Sequence, residues 1–294
     1  MGKLEKDTVS RKIFVVINAV LLALVAILSL YPIIYCFLIS ISESDKVMGN
    51  VGFVWKPLGF SLAAYKMVLT NPNIGTGYLN TIFIVVVGTA VNMLLTSMAA
   101  YFLTRKMVLN KILMPMIVFT MYFNGGLVPS FLLVNNLGLY DKIFAVIIPT
   151  AISAYNLIVL KAGFATIPES LIESAELDGA GPWRTLFQIV IPLAKASLAV
   201  ITLYYAVAHW NDWFNAQIYL QTPKKFPLQL VLRQILLENS ANEVADDLNS
   251  TRGERIAETV QYAIIMVATI PILCVYPFIQ KYFEKGIMLG AVKG

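Results

Sequence analysis

The sequence predicts an all-α, polytopic membrane protein with six transmembrane helices. Three observations carry that prediction. The 294 residues are 58% hydrophobic and only 13% charged, against about 25% charged in soluble domains. Mean hydropathy is +0.74. Six apolar runs recur along the chain, each about 20 residues or longer, enough to cross roughly 30 Å of hydrocarbon at 1.5 Å per residue. The polar segments between the runs are too short to bury cores of their own. The formal charge of +5 comes without a basic patch interleaved with aromatics, which argues against nucleic acid as a partner. Cys36 and Cys274 lie in separate apolar runs and read as packing residues rather than a disulfide.

In chain order, residues 1–12 are a polar segment carrying Lys3, Lys6, Arg11 and Lys12 ahead of the first run, 13–41. That run is too long for a signal peptide and is followed by no small-residue cleavage site, so it is expected to remain as the first span, kinked at Tyr31-Pro32. A mixed polar loop follows at 42–77, with turn signals at Trp55-Lys56-Pro57 and Asn71-Pro72-Asn73. Further spans are expected at 78–101, 112–134, 143–164, 196–220 and 259–279, with a long charged loop at 221–258. The transmembrane domain thus extends over 13–283 and leaves 284–294 as a tail.

Basic residues set the orientation. With the N-terminus inside, inner segments hold 13 of the 22 Lys and Arg and outer loops 9, five of these in 221–258. Long loops weigh little in this rule. The short segments therefore place both termini and 166–193 in the cytoplasm, and 221–258 outside.

Segment 166–193, TIPESLIESAELDGAGPWRTLFQIVIPL, holds four of the seventeen acidic residues and lies between two strongly apolar runs. Thr166 with Glu169 reads as a capping box at a helix start. Glu169, Glu173 and Glu176 fall at i, i+4 and i+7 and line one helix face, while Leu171, Ile172 and Ala175 occupy other faces. Gly179 suits a left-handed helix end, Pro182 the first position of a second helix, and Pro192 the close of that helix. A solvated surface helix would explain the charge alone. It would not require a Gly turn, a second helix and a Pro stop in this order.

Glu173-Ser174-Ala175, Asp178-Gly179 and Ile189-Val190-Ile191-Pro192 resemble the EAA loop of ABC importer permeases. The family prefers Ala where Ser174 stands and Leu where Ile191 stands. The resemblance implies a cytoplasmic coupling helix that docks in a cleft of an ATPase subunit. Leu171, Ile172 and Ala175 would then fill a groove, Glu173 would meet a basic group, Gly179 would set the turn, and Ser174, Asp178 and Pro192 would belong to the same ATPase-coupling set. Replacing Gly179 with Asp is expected to uncouple ATP hydrolysis from transport.

Two apolar runs carry polar clusters. The fifth holds His209-Trp210-Asn211-Asp212-Trp213-Phe214-Asn215. Polar groups at bilayer depth are costly, on the order of 2.5–3.5 kcal/mol on insertion scales, and usually face a pathway or a partner. Trp210, Asn211 and Asn215 suit a sugar pathway, because aromatics with amides stack on and hydrogen-bond sugar rings. His209 and Asp212 equally fit the outer membrane interface. In the third run Asn124, Gly125-Gly126 and Pro129 interrupt the helix pattern, as in the broken helices that line transporter cavities, or as a helix end would.

The stretch MYFNGGLVPSFLLVNNLGLYDKIFAVIIP resembles carbohydrate permeases that import oligosaccharides of plant or algal polysaccharides, including uronates of the alginate and aldouronate type. The ending YFEKGIMLGAVKG resembles the maltose-transporter-type inner permease subunit. This implies ATPase contacts by Lys285 and Lys293. Loop 221–258 corresponds in position to the loop that enters the sugar cleft of a binding protein.

The resemblance implies a multi-pass permease of the bacterial cytoplasmic membrane. Its expected partners are a second homologous permease, two ATPase subunits, an extracytoplasmic solute-binding protein, an oligosaccharide and membrane lipid. ATP and Mg would sit in the partner subunits, since this chain carries no GxxxxGK[ST] loop. No metal or cofactor is expected here, and a single histidine without a nucleophile argues against an enzyme. A permease for a polyol, a glycerophosphodiester or an amino acid would share the same architecture. A channel would share the spans but would have no use for a coupling loop.

Overall fold

The structure, a computed structural model, describes residues 9–49, 52–246 and 259–274. Among the described residues the ordered elements are helical, and they fall into two compact units.

One unit combines residues up to Thr70 with Leu236–Thr269. Its main element is α1 (Val9–Ser40), 32 residues long and apolar throughout. Nearly every side chain of α1 is exposed, and only Ile39 and Ser40 are buried. A helix hydrophobic all round and unburied by its own chain has the surface of a lipid-facing span. Pro32 lies inside α1 without ending it. The small core beyond it joins Ile39 with Val47 of α2 (Ser44–Met48) and Val54, and Tyr35 and Tyr262 pack on it. Hydroxyls fasten this end: Ser40 meets Tyr65 of α3 (Ala63–Leu69) at 2.8 Å, and Ser44 meets Thr259 at 2.8 Å.

The second unit comprises Asn71–Ile235 and the chain from Ile270. It is built around α4 (Pro72–Thr104), 33 residues long, started by Asn71, whose Oδ1 accepts the Asn73 N–H at 2.9 Å. Gly77, Thr81, Gly88, Asn92, Thr96 and Ala100 recur along α4 and are all buried, whereas Leu79, Ile82, Phe83, Val86 and Leu94 are exposed. This inverts the pattern of a soluble helix. Lipid takes the large apolar side chains, and small or polar ones let backbones approach. Thus α4 packs against α8 (Ala154–Phe164) and α12 (Lys195–Asn211). The α8–α12 approach is equally close: a Cβ on Gly163 would lie 2.4 Å from Ser197 Oγ.

Three of the expected spans are broken, the third where Asn124 and Gly125-Gly126 interrupt its run. The third consists of α5 (Asn110–Tyr122) and α6 (Leu127–Asn136), bent by 113°. Its break falls at Gly126, whose φ of +93° only glycine adopts at little cost, and Asn124 Oδ1 accepts the Gly126 N–H at 2.9 Å. The fourth separates into α7 (Phe144–Ile147) and α8, with Pro149 between them. The fifth ends its first helix at Asn211, where Asp212 and Trp213 interrupt it before α13 (Phe214–Tyr219). Only α1 and α4, among the described residues, are long and apolar enough to span alone, and two bent pairs, Asn110–Tyr122 with Leu127–Asn136 and Pro182–Leu193 with Lys195–Asn211, can each supply one more crossing. The sixth span begins as α15 (Thr259–Cys274), and its predicted remainder lies outside the described residues.

Segment 221–258 is not the loop that its charge predicts. After a tight turn at Pro223–Lys225 it forms α14 (Leu228–Asp246), with Leu228, Leu230, Val231, Leu232 and Ile235 buried. Five buried aliphatic side chains on one helix outweigh the nearby charges. Residues 247–258 and the C-terminal signature with Lys285 and Lys293 lie outside the described residues.

Candidate functional site

The glutamate-lined segment folds as a helix, α9 (Glu169–Leu177), followed by a turn and a second helical stretch, Pro182–Leu193. Its start corrects the expectation of a capping box. Pro168 occupies the N-cap position and makes no side-chain cap, Thr166 Oγ1 donates instead to the Gly163 carbonyl at 2.8 Å, and Glu169 is engaged elsewhere. The helix end is a Schellman turn. Gly179 has φ +79°, its N–H donates to the Glu176 carbonyl at 3.0 Å, and the Ala180 N–H reaches back to the Ala175 carbonyl at 2.9 Å.

The second stretch opens as α10 (Pro182–Thr185) with Pro182 in the first turn, and continues into α11 (Ile191–Leu193) through a widened turn, Leu186–Val190. There the Ile191 N–H bonds five residues back to the Leu186 carbonyl. Pro192 lies in the last turn, one residue before the helix ends at Leu193. The wide turn leaves room for its ring where the preceding turn's carbonyl would clash. The chain bends by 89° at Ala194 into α12.

The glutamate face finds its partners inside the chain. Arg105 and Lys106, just past the end of α4, pair with Glu176 and Glu169, the second pair at 2.7 Å. Arg105 also lies over the Tyr101 ring, 5.7 Å from its centroid. The hydrogen bond to Glu169 raises the Lys106 pKa above the ordinary lysine value, with the charges of Glu169 and Glu173 adding to it. Glu173 stands between the two bridges, exposed, beside a cavity of about 480 Å³ that Arg105, Lys106, Ile172 and the three glutamates line.

The apolar residues of α9 divide. Ala175 is buried, whereas Ile172 is half-buried: it packs on this chain's own core, with Phe164, Leu186 and Val190, and also lines the cavity beside Glu173. Leu171, Ser174 and Asp178 point outward, and Leu177 is 89% exposed. Trp183 and Phe187, stacked with centroids 6.2 Å apart, extend the exposed apolar surface along the second stretch.

Deeper in the same unit, buried polar groups meet where the fourth run is broken. The break frees backbone groups between α7 and α8, and side chains of α4 and α12 satisfy them. Asn92 Nδ2 donates to the Thr150 carbonyl at 2.7 Å, and the Ser153 N–H donates to Tyr205 Oη at 3.0 Å. Tyr205 Oη also meets Thr96 Oγ1 at 2.8 Å, and His209 Nε2 lies 3.0 Å from Asn92 Oδ1. His209 is thus a buried member of this network, and Gly88 makes room for its ring. Asp212 accepts from the Asn215 backbone and side-chain amides at 3.1 and 2.9 Å. Asn211 is exposed and donates to the Val207 carbonyl, and Trp210 is half-buried. Asn124 and Gly125 lie exposed in the α5–α6 break, so the sequence-predicted pathway residues fall at two separate helix breaks.

At the opposite end of this unit from the glutamates, Asp141, at φ +53°, collects the Gln221 and Thr222 N–H groups, Thr222 Oγ1 and Lys225 Nζ. The Lys225 bond, then those of Thr222 and Gln221, hold its carboxyl well below the usual carboxylate range. Sequence reasoning missed this hub, the Asn92–Tyr205 network and the basic partner of the glutamates. One signal was available: alternating spans bring 105–106 to the side of 166–193, and 141 to the side of 221–225.

A family model for binding-protein-dependent transport system inner membrane components matches residues 92–289. The polygalacturonan/rhamnogalacturonan transport system permease protein YtcP of Bacillus subtilis is 42% identical, over 93% of this chain and 96% of that protein. Protein LplC of the same organism is 37% identical, over 98% of this chain and 97% of that protein. A chain in the crystal structure of a bacterial ABC transporter involved in import of the acidic polysaccharide alginate superposes with a TM-score of 0.81 at 37% identity, covering 95% of this chain and 99% of that one. The matched region takes in α8, α12, the part of α4 from Asn92 onward and the glutamate-lined segment, and the chain accordingly belongs to the family of binding-protein-dependent transport system inner membrane components.

Proposed function

We propose that this chain is the permease subunit of an ABC importer for oligosaccharides of acidic polysaccharides, acting in the bacterial inner membrane with both termini cytoplasmic. The observation that carries the substrate class is the pairing of its relatives. The YtcP match and the alginate-importer match each cover more than nine-tenths of the chain, and both are described with uronate-bearing polysaccharides. ATP and Mg are held by two partner ATPase subunits, a second permease completes the pathway, and a solute-binding protein delivers the sugar.

In this reading the segment 166–193 couples the ATPases to the spans. The groups offered for docking are Leu171, Ser174, Leu177 and Asp178, with Glu173 facing a basic group and Trp183–Phe187 widening the contact. Two connections transmit the motion. The glutamates of α9 grip Arg105 and Lys106 at the end of α4, and the Pro182–Leu193 stretch runs into α12, which packs along α4. A push on α9 therefore reaches both helices of the core. Such coupling works only if the docking contact differs between two states of the spans.

The test is ATPase stimulation of the assembled complex, with its binding protein, across a panel of saccharides. Uronate oligosaccharides should stimulate and neutral ones should not. Stimulation by neutral glycans alone would keep the importer and discard the acidic substrate. Silence across the panel, with the ATPase bound, would reopen the solute class.

A further inference from the structure

Arg105 and Lys106 form a wall between two cavities. One opens on the glutamates. Behind them lies a second cavity of about 460 Å³, lined by Arg105, Lys106, Lys111 and Lys161 together with the apolar Val108 and Met114. Among the described residues no carboxylate lines it. Arg105 and Lys106 are neutralised from the other side by Glu176 and Glu169, whereas Lys111 and Lys161 make no side-chain hydrogen bond or ion pair with the described residues. Two uncompensated ammonium groups converging on one cavity repel each other and favour an anion between them.

The position narrows the anion. The apolar length of α4 ends at Leu103, so Arg105 and Lys106 stand where hydrocarbon gives way to headgroups. Beside them Val108 is 79% exposed, and α5 departs with Ile112, Met116 and Phe119 all exposed, a surface suited to acyl chains. A dissolved anion would need only the cations. Cations and an apolar wall together, flush with the membrane surface, fit an amphiphile, and basic pockets between spanning helices are suited to anionic headgroups.

We propose that this cavity binds an anionic phospholipid, with Lys111 and Lys161 on the phosphate oxygens and an acyl chain lying along Val108, Met114 and the exposed face of α5. Lipid would then brace the far side of the Arg105–Lys106 segment that grips α9.

The experiment is native mass spectrometry of the assembled importer, delipidated and titrated with dioleoyl phosphatidylglycerol or dioleoyl phosphatidylcholine. The wild type should retain phosphatidylglycerol over phosphatidylcholine. A K111Q/K161Q variant should bind it on the order of twentyfold more weakly, from the loss of two ammonium–headgroup attractions. A K111R/K161R variant should restore retention, and K56Q, a charge lost elsewhere, should leave it unchanged. Equal retention by the wild type and K111Q/K161Q would overturn the site, as would equal retention of the two lipids. Displacement of the lipid by millimolar inorganic phosphate would overturn the lipid assignment and make this a simple anion site. If K111Q/K161Q fails to assemble, a photoreactive phosphatidylglycerol on the wild-type complex decides: crosslinks should fall within 105–119 or beside Lys161, and crosslinks confined to other segments would refute the proposal.

Discussion

Gly179 permits a test of why the glutamate-lined segment ends as it does. A Cβ built on Gly179 meets nothing within 4 Å, so space does not forbid a side chain there. The constraint is its φ of +79°. Holding an L-residue such as Ala in that region costs about 1–2 kcal/mol. Escaping to negative φ would break the two turn hydrogen bonds from Gly179 and Ala180, at about 0.5–1.5 kcal/mol each. Neither route is cheaper, so Gly179→Ala should weaken the turn by about 1–2 kcal/mol, a factor of roughly 5–30 in its population. α9 has only 9 residues and depends on its cap. Asn tolerates left-handed backbone far better than Ala. Asp tolerates it too, but sets a negative charge at the helix's negative end, about 0.3–1 kcal/mol unfavourable. Coupling, read as substrate transported per ATP hydrolysed in proteoliposomes, should therefore be mildest in its loss for Asn and clearly impaired for Asp and Ala. Coupling intact in Ala but lost in Asn would mean that side-chain size at the docking contact, not backbone handedness, governs the position. Normal coupling in all three would remove this segment from the coupling role.

Three further predictions concern the second unit. Asn92→Leu removes the partner of the half-buried Thr150 carbonyl and of buried His209, and should lower stability by about 1–3 kcal/mol for each group left unpaired; an unchanged thermal midpoint in detergent would show that water fills the gap. A Cβ on Gly88 would lie 2.6 Å from His209 Nε2, so Gly88→Ala should cost about 1–3 kcal/mol. The G88A/H209A double variant should lose less than the sum of the single variants, and strict additivity would count against a clash with the ring. For Asp141 the carboxyl pKa is depressed in the folded state, so its contribution is complete above the unfolded value of about 4 and fades as pH falls through the folded one. Asp141→Asn should therefore be less stable than the wild type at pH 7 and converge with it in acid; a gap that stays constant with pH would refute the electrostatic account.

Composition and run length were enough to establish an all-helical membrane protein, because a bilayer admits only apolar stretches of sufficient length and closes their backbone bonds internally. The capping glycine and the first-turn proline of 166–193 were equally legible, since φ at Gly179 and the missing N–H of Pro182 are local properties. What failed was any inference that needed a neighbour. The glycines that interrupt the third run were visible too, but the fourth and fifth runs read as continuous spans because hydropathy does not register a break whose backbone groups are satisfied from elsewhere. Only packing puts Asn92 on the Thr150 carbonyl and Tyr205 under the Ser153 N–H. The charge of 221–258 concealed a helix that its aliphatic face stabilises once buried. Glutamates that sequence alone offers to a partner are held by Arg105 and Lys106, some 70 residues away along the chain. Local conformation follows from a residue and its sequence neighbours, whereas the partner of a charge or of a freed carbonyl is fixed by which helices the fold brings together.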